Sequence, residues 1–109
     1  MRPIPRTLLG SDCTVRVPID GEYGGEYAEP RSIEHVRLCP RADLERTGYV
    51  FSDGAKGLLF IDCINSVGGF ELPVGALVSI DGAPEVAVTR CETLIGFGNE
   101  PHHWEVEVA

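Results

Sequence analysis

Short runs in which apolar and polar residues alternate, each closed off by Gly, Pro or Asp, recur along this chain and leave little room for the spacing of an amphipathic helix. That period of two commits the chain to strands. Cys13, Val15, Val17 and Ile19 share one face of a first strand over 11–19, with Thr14 and Arg16 opposite. Pro18 removes a ladder donor and marks the strand's far end as an edge. A second strand over 32–39 sets Val36 and Leu38 against His35 and Arg37, which reads His35 as a solvated strand residue. Leu58 to Ile64 is apolar on both faces, as suits a strand covered from two sides or wrapped into a barrel. Val74, Ala76, Val78 and Ile80 alternate up to Asp81-Gly82, a tight-turn signal, and 85–95 supplies the return strand. The last strand puts His102, Trp104, Val106 and Val108 on one face and His103, Glu105 and Glu107 on the other. Six strands with no second layer of helices predict a mainly β fold, a small six-stranded antiparallel β-barrel or sandwich.

Three segments fall outside the alternation. Residues 1–10 carry Arg2, Pro3, Ile4, Pro5 and Arg6. Two prolines without N–H groups push their neighbours into extended geometry, so an extended arm that lies on a partner is expected. Gly21 to Tyr27 is a glycine-rich excursion. Residues 40–57 form a long insertion between the second and third strands, of a size that is functional or disordered in small domains. The expected organisation is therefore an arm over 1–10 and one barrel domain over 11–109.

Composition narrows the partners. Seventeen acidic against nine basic side chains give a net charge of −8, which disfavours simple binding to duplex DNA or an anionic membrane. The longest purely apolar stretch, Leu58 to Ile61, is far short of a membrane span, and no apolar signal segment follows the basic start, so a soluble chain with no signal peptide is expected. Cys13, Cys39, Cys63 and Cys91 include no C-x-x-C pair and read as buried thiols.

Catalytic constellations find little support. A Cys–His nucleophile would have to bring Cys63, next to Asp62, together with the distant His102 and His103, and nothing in the spacing does so. Asp62 reads as turned toward a partner or toward a strand-end hydrogen bond. A metal site from His35, His102 and His103 fails because neighbours on a strand point to opposite faces. Glu105 and Glu107 share a face two residues apart and read as a solvated or interface pair. No phosphate-binding glycine loop or nucleophile elbow is present. The expectation is a non-enzyme with no cofactor and no metal. The cations are Arg apart from Lys56, and Arg is the residue of bidentate protein contacts. Nucleic acid competes only if Arg41, Arg46 and Lys56 gather in the long insertion.

The opening Arg2-Pro3-Ile4-Pro5-Arg6 with Leu8-Leu9, the central Leu58-Leu59-Phe60-Ile61-Asp62-Cys63-Ile64-Asn65-Ser66 and the closing His102-His103-Trp104-Glu105-Val106 resemble, in order, the minor capsid proteins encoded in head-gene clusters of tailed bacteriophages. Members of this kind are similar in size and strand layout to head-closure, or stopper, proteins. The resemblance implies a structural virion protein at the head–tail junction, made in the host cytoplasm and assembled as a homomeric ring of twelve or six copies. A portal or adaptor protein would lie above it, a tail protein below, and packaged DNA in its channel, held without sequence specificity. By position alone it makes 40–57 the channel loop, with Arg41, Asp43, Arg46, Tyr49 and Lys56 facing DNA, mobile in the monomer and ordered in the ring. Arg2, Pro3, Ile4, Pro5, Arg6, Asp62, His102 and His103 become the candidate contacts between subunits or rings. A tail-terminator or tail-completion ring, a capsid decoration protein and a small cytoplasmic β-barrel binding module remain as alternatives.

Overall fold

The computed structural model describes residues 3–19, 25–51 and 54–109. Arg2 of the expected contacts and Gly21 to Gly24 of the glycine-rich excursion lie outside them. Eight strands run β1 Ser11–Arg16, β2 Pro18–Ile19, β3 Glu26–Tyr27, β4 Arg31–Pro40, β5 Gly57–Asp62, β6 Leu77–Ile80, β7 Val86–Ile95 and β8 Pro101–Val108. Six of them close an antiparallel barrel in the order β1-β4-β5-β8-β7-β6, with β6 pairing back onto β1. Closure leaves none of the six as an open edge, so the exposed ladders that invite aggregation are absent from the barrel.

The alternation read from the sequence fills the interior. Cys13, Val15, Ile33, Val36, Leu59, Ile61, Val78, Ile80, Val88, Val106 and Val108 are buried together, and a six-stranded barrel is narrow enough for such side chains to fill it. β5 is apolar on both faces because each face has its own cover. Leu59 and Ile61 enter the barrel, while Leu58 turns outward into a second small core with Phe51 and Ala55, flanked by Leu44, Tyr49 and Phe60. The Asp81-Gly82 signal also holds: both residues have positive φ, 51° and 77°, and Ala83 N–H donates to the Ile80 carbonyl. Paired positive φ values belong to a type I′ turn, which here opens the 81–85 connection between β6 and β7.

Several boundaries differ from expectation. The strand expected over 11–19 breaks at Val17, because Pro18 and Ile19 leave the barrel to pair with β3. β5 ends at Asp62, and Ile64 stands 72% exposed in the turn beyond it. β6 starts only at Leu77, leaving Val74 66% exposed. The 40–57 insertion is not a bare loop, since Arg41–Glu45 forms a helical turn, α1, and Phe51 and Ala55 are buried. No helix among the described residues is long and apolar enough to cross a membrane.

Two irregularities in the barrel matter most. Ser11 pairs with Val36 and Cys13 with Ile33, so β4 carries one extra residue opposite β1, and His35 takes a positive φ of 61° there. This bulge lets Ile33 and Val36, three apart, both face the core. A second bulge lies where Leu94 pairs with His103 but Ile95 pairs with Pro101, which makes His102 the extra residue of β8.

Candidate functional site

The arm folds back on its own barrel. Arg6–Leu8 forms a 3-10 turn, and Leu9 is only 1% exposed. Asp62, fully buried at the end of β5, is the anchor. Its Oδ1 accepts the Ile4 N–H at 2.8 Å, and its Oδ2 accepts the N–H groups of Ile64 and Asn65 at 3.0 and 2.8 Å. Asn65 completes the clamp by donating Nδ2–H to the Ile4 carbonyl at 2.7 Å. Ile4 is thus held by its backbone, in the gap between Pro3 and Pro5. Ser66 joins this turn to the β4 bulge: the Asp62 N–H donates to Ser66 Oγ, whose own proton goes to the His35 carbonyl. Asp12 Oδ1 accepts the His35 N–H, and Arg6 Nη2 stands 2.7 Å from His35 Nε2. The arm expected to be extended and to lie on a partner instead carries a 3-10 turn and packs Ile4 and Leu9 on its own barrel. The proline-stiffened segment is short, and a buried carboxylate supplies the acceptor that its backbone needs.

His102 and His103 also depart from expectation. The β8 bulge turns both imidazoles together, with Nδ1 atoms 2.6 Å apart and rings edge to face at 4.9 Å between centroids. Opposite-face geometry holds for regular strands and fails at a bulge. His103 Nε2 stands 3.9 Å from Glu105 Oε1, and its ring leans toward Phe60. Burial, and then the neighbouring His102, push the His103 imidazole below its ordinary range.

The 41–56 excursion packs over the outer face of β5 and β8. Arg41 Nε donates to Glu45 Oε1 at 2.8 Å, its Nη1 to the Ala55 carbonyl at 3.1 Å, and its guanidinium covers the Phe51 ring. Tyr49 lies against Phe51, with its hydroxyl 3.2 Å from Arg90 Nη2 on β7. Arg90 Nε in turn stands 3.6 Å from Glu107 Oε2, and Glu107 is 0% exposed. Glu107 is therefore no solvated partner of Glu105, as the sequence suggested. It is an outward-facing strand carboxylate sealed in, with Arg90 as its counter-charge. Burial, and then Glu92, raise the Glu105 carboxyl above its usual range.

Of the expected channel residues, Asp43, Arg46 and Lys56 are exposed, while Arg41 and Tyr49 are tied to the excursion's own base. Arg41 and Lys56 are joined through the backbone, Arg41 N–H to the Lys56 carbonyl. Of the expected contact residues, Pro5 and Arg6 are exposed, Pro3, Ile4, His102 and His103 half-buried, and Asp62 buried. Sequence reasoning missed Asn65, Ser66, Arg90 and Glu107. For the first two a signal existed, because Asp62 followed three residues later by Asn65-Ser66 is turn chemistry at a strand end. For Arg90 and Glu107 no local signal exists.

The described residues build a small closed barrel whose arm folds back on one end and whose excursion covers the outer face of β5. The family model for minor capsid proteins matches residues 15–108, which span the barrel apart from the first four residues of β1, and the chain belongs to the minor capsid protein family. Its role is structural, in the phage particle. No curated protein and no solved structure matches the chain.

Proposed function

We propose that this minor capsid protein assembles as a homomeric ring at the head–tail junction. There it sits below the portal or adaptor, closes the DNA channel and offers the attachment surface for the tail. The observation that carries the reading is the 41–56 excursion. It leaves the barrel between its second and third strands, is built on Phe51, Ala55 and Leu58, and exposes Asp43, Arg46, Lys56 and an 82% exposed Val50. Its base covers the outer face of β5, while Asp43, Arg46, Val50 and Lys56 are left exposed beyond that packing, and long excursions in small domains are commonly functional. Its mixed charge suits a surface along which DNA slides without adhering, because few cations meet each phosphate. The exposed side of the arm, with Pro5, Arg6 and Leu8, supports contact with a neighbouring copy while Ile4 stays clamped at home. Closing and opening the channel would use release of the Tyr49–Arg90 contact as its movable joint.

Cryo-electron microscopy of particles carrying this chain tests the proposal. A ring of twelve or six copies under the portal, with 41–56 toward the axis, is the expected result. Copies spread over the capsid faces or at the far end of the tail would overturn it in favour of a decoration or tail role.

A further inference from the structure

We propose that a second copy of this chain docks its β2–β3 ribbon on the end of β4, an interface that rests on the homomeric ring proposed above. Closure leaves no free-standing edge strand, but the stagger of the barrel leaves one short stretch of β4 with a partner on one side only. β1 begins at Ser11 opposite Val36, so Arg37 to Pro40 pair with β5 alone. The Arg41 N–H donates to the Lys56 carbonyl, in step with Cys39 opposite Leu58 and Arg37 opposite Phe60. Alternate residues of an antiparallel ladder turn their backbone groups to opposite sides. Arg37 and Cys39 therefore face β5, and the N–H and C=O of Leu38 face away from it. Between them and the β6–β7 connection, Leu38, Ile80, Pro84 and Val86 line an open groove of about 370 Å³.

The ribbon carries the complement. The Ala28 N–H donates to the Val17 carbonyl and Pro18 lies opposite Tyr27, so by the same alternation the Tyr27 N–H and C=O face away from β2. Among the described residues no other strand pairs with this ribbon. It brings Ile19, 48% exposed, as an apolar side chain for the groove. Charge agrees with this match: residues 17–30 hold four carboxylates, among them the exposed Glu26 and Glu29, and no basic side chain. The receiving edge carries Arg37 and Lys56, both exposed, and the carboxylate on its far lip, Asp81, already accepts the Asp12 N–H. Strand addition of this kind draws affinity from main-chain hydrogen bonds and specificity from side-chain pockets. The ribbon leaves the barrel at the Arg16 end of β1 and the groove lies at its Ser11 end, about 17–20 Å away, so a chain's ribbon and groove serve different neighbours. Such a head-to-tail contact closes into a ring when its rotation allows.

The test follows amide hydrogen exchange of the full chain by NMR from dilute to millimolar concentration, with sedimentation velocity reporting its association. The Leu38 and Tyr27 amides should exchange freely in the monomer and become protected on association, and added salt should weaken that association. Arg37→Glu and Glu26→Lys should each weaken it about three- to tenfold, and a chain carrying both should recover it, because the charges are paired again in reverse. Association that leaves both amides unprotected overturns this interface, as does a double variant no better than the single ones. Either result leaves the ring itself to be decided by the particle images. A chain that stays monomeric at millimolar concentration also overturns the interface. If the substituted chains fail to fold, amide protection in the unsubstituted chain decides the matter alone.

Discussion

Asp62 Oδ1 and the Ile4 amide meet at 2.8 Å across 58 positions of sequence, with the carboxylate wholly buried. A buried carboxylate is tolerated only where donors surround it, and this one has three backbone N–H groups, one of them brought by the arm. The arm is therefore a structural part of the barrel's end. Asp62→Ala should lower stability by about 2–3 kcal/mol, since charge-assisted hydrogen bonds are lost and the Ile64 and Asn65 amides are orphaned. Leu9→Ala should cost about 2–5 kcal/mol by opening a cavity. Urea unfolding followed by tryptophan fluorescence measures both. A neutral outcome for the pair would mean that the arm is only laid on the barrel.

The excursion has a similar internal logic. Phe51 is its main buried side chain, and Phe51→Ala should destabilise by about 3–5 kcal/mol if the small core is continuous with the barrel. Tyr49→Phe removes only the hydroxyl that meets Arg90 and should cost about 0.5–1.5 kcal/mol. Its larger effect should be kinetic, as faster tryptic cleavage after Arg46 in an otherwise folded chain. Equal cleavage rates in the two proteins would show that this contact does not hold the excursion down.

Arg90 and Glu107 belong to one network, so their substitutions should not add. Arg90→Ala removes the 3.6 Å ion pair to a buried carboxylate and should cost about 1–3 kcal/mol. Made in a Glu107→Gln background, the same change should cost less. A double-mutant cycle by chemical denaturation checks this, and additive losses would mean that the 3.6 Å separation carries no coupling.

What could be read from the sequence follows the reach of its signals. Alternation and turn chemistry act over a few residues, so Val15, Val78, Val106 and the Asp81-Gly82 turn were legible, as was the two-sided burial of β5. A bulge is one inserted residue and leaves the composition of its strand unchanged. The faces of His35 and His102 were therefore misassigned, and with them the reason for excluding a His102–His103 pair. The arm was misread because its acceptor, Asp62, lies 58 residues away. Glu107 looked solvated because a strand's outer face is polar by default, and its burial and its pairing with Arg90 of β7 arise from packing that no local pattern records. The expected contact and channel residues were placed by resemblance. The structure adds which of them are tied down and which are exposed.

The Cys13 thiol offers a check by pH. It is buried in the barrel, and burial, followed by the charges of Asp12 and Asp81, pushes its pKa up to about 12 from 9.0. The folded state therefore favours the neutral thiol. Its contribution to stability is full below the unfolded value of about 9 and is lost as pH rises from there toward the folded value, because only the unfolded chain can release the proton. Two outcomes are expected. Alkylation of the native protein at pH 8.5 should spare Cys13 longest among the four cysteines and reach it only with unfolding. Cys13→Ala should lower stability at neutral pH by leaving a small cavity, yet it should flatten the decline above pH 9 relative to the unsubstituted chain. Parallel declines in the two proteins would assign the alkaline loss to other groups, such as the lysine and tyrosines, and would remove Cys13 from the linkage.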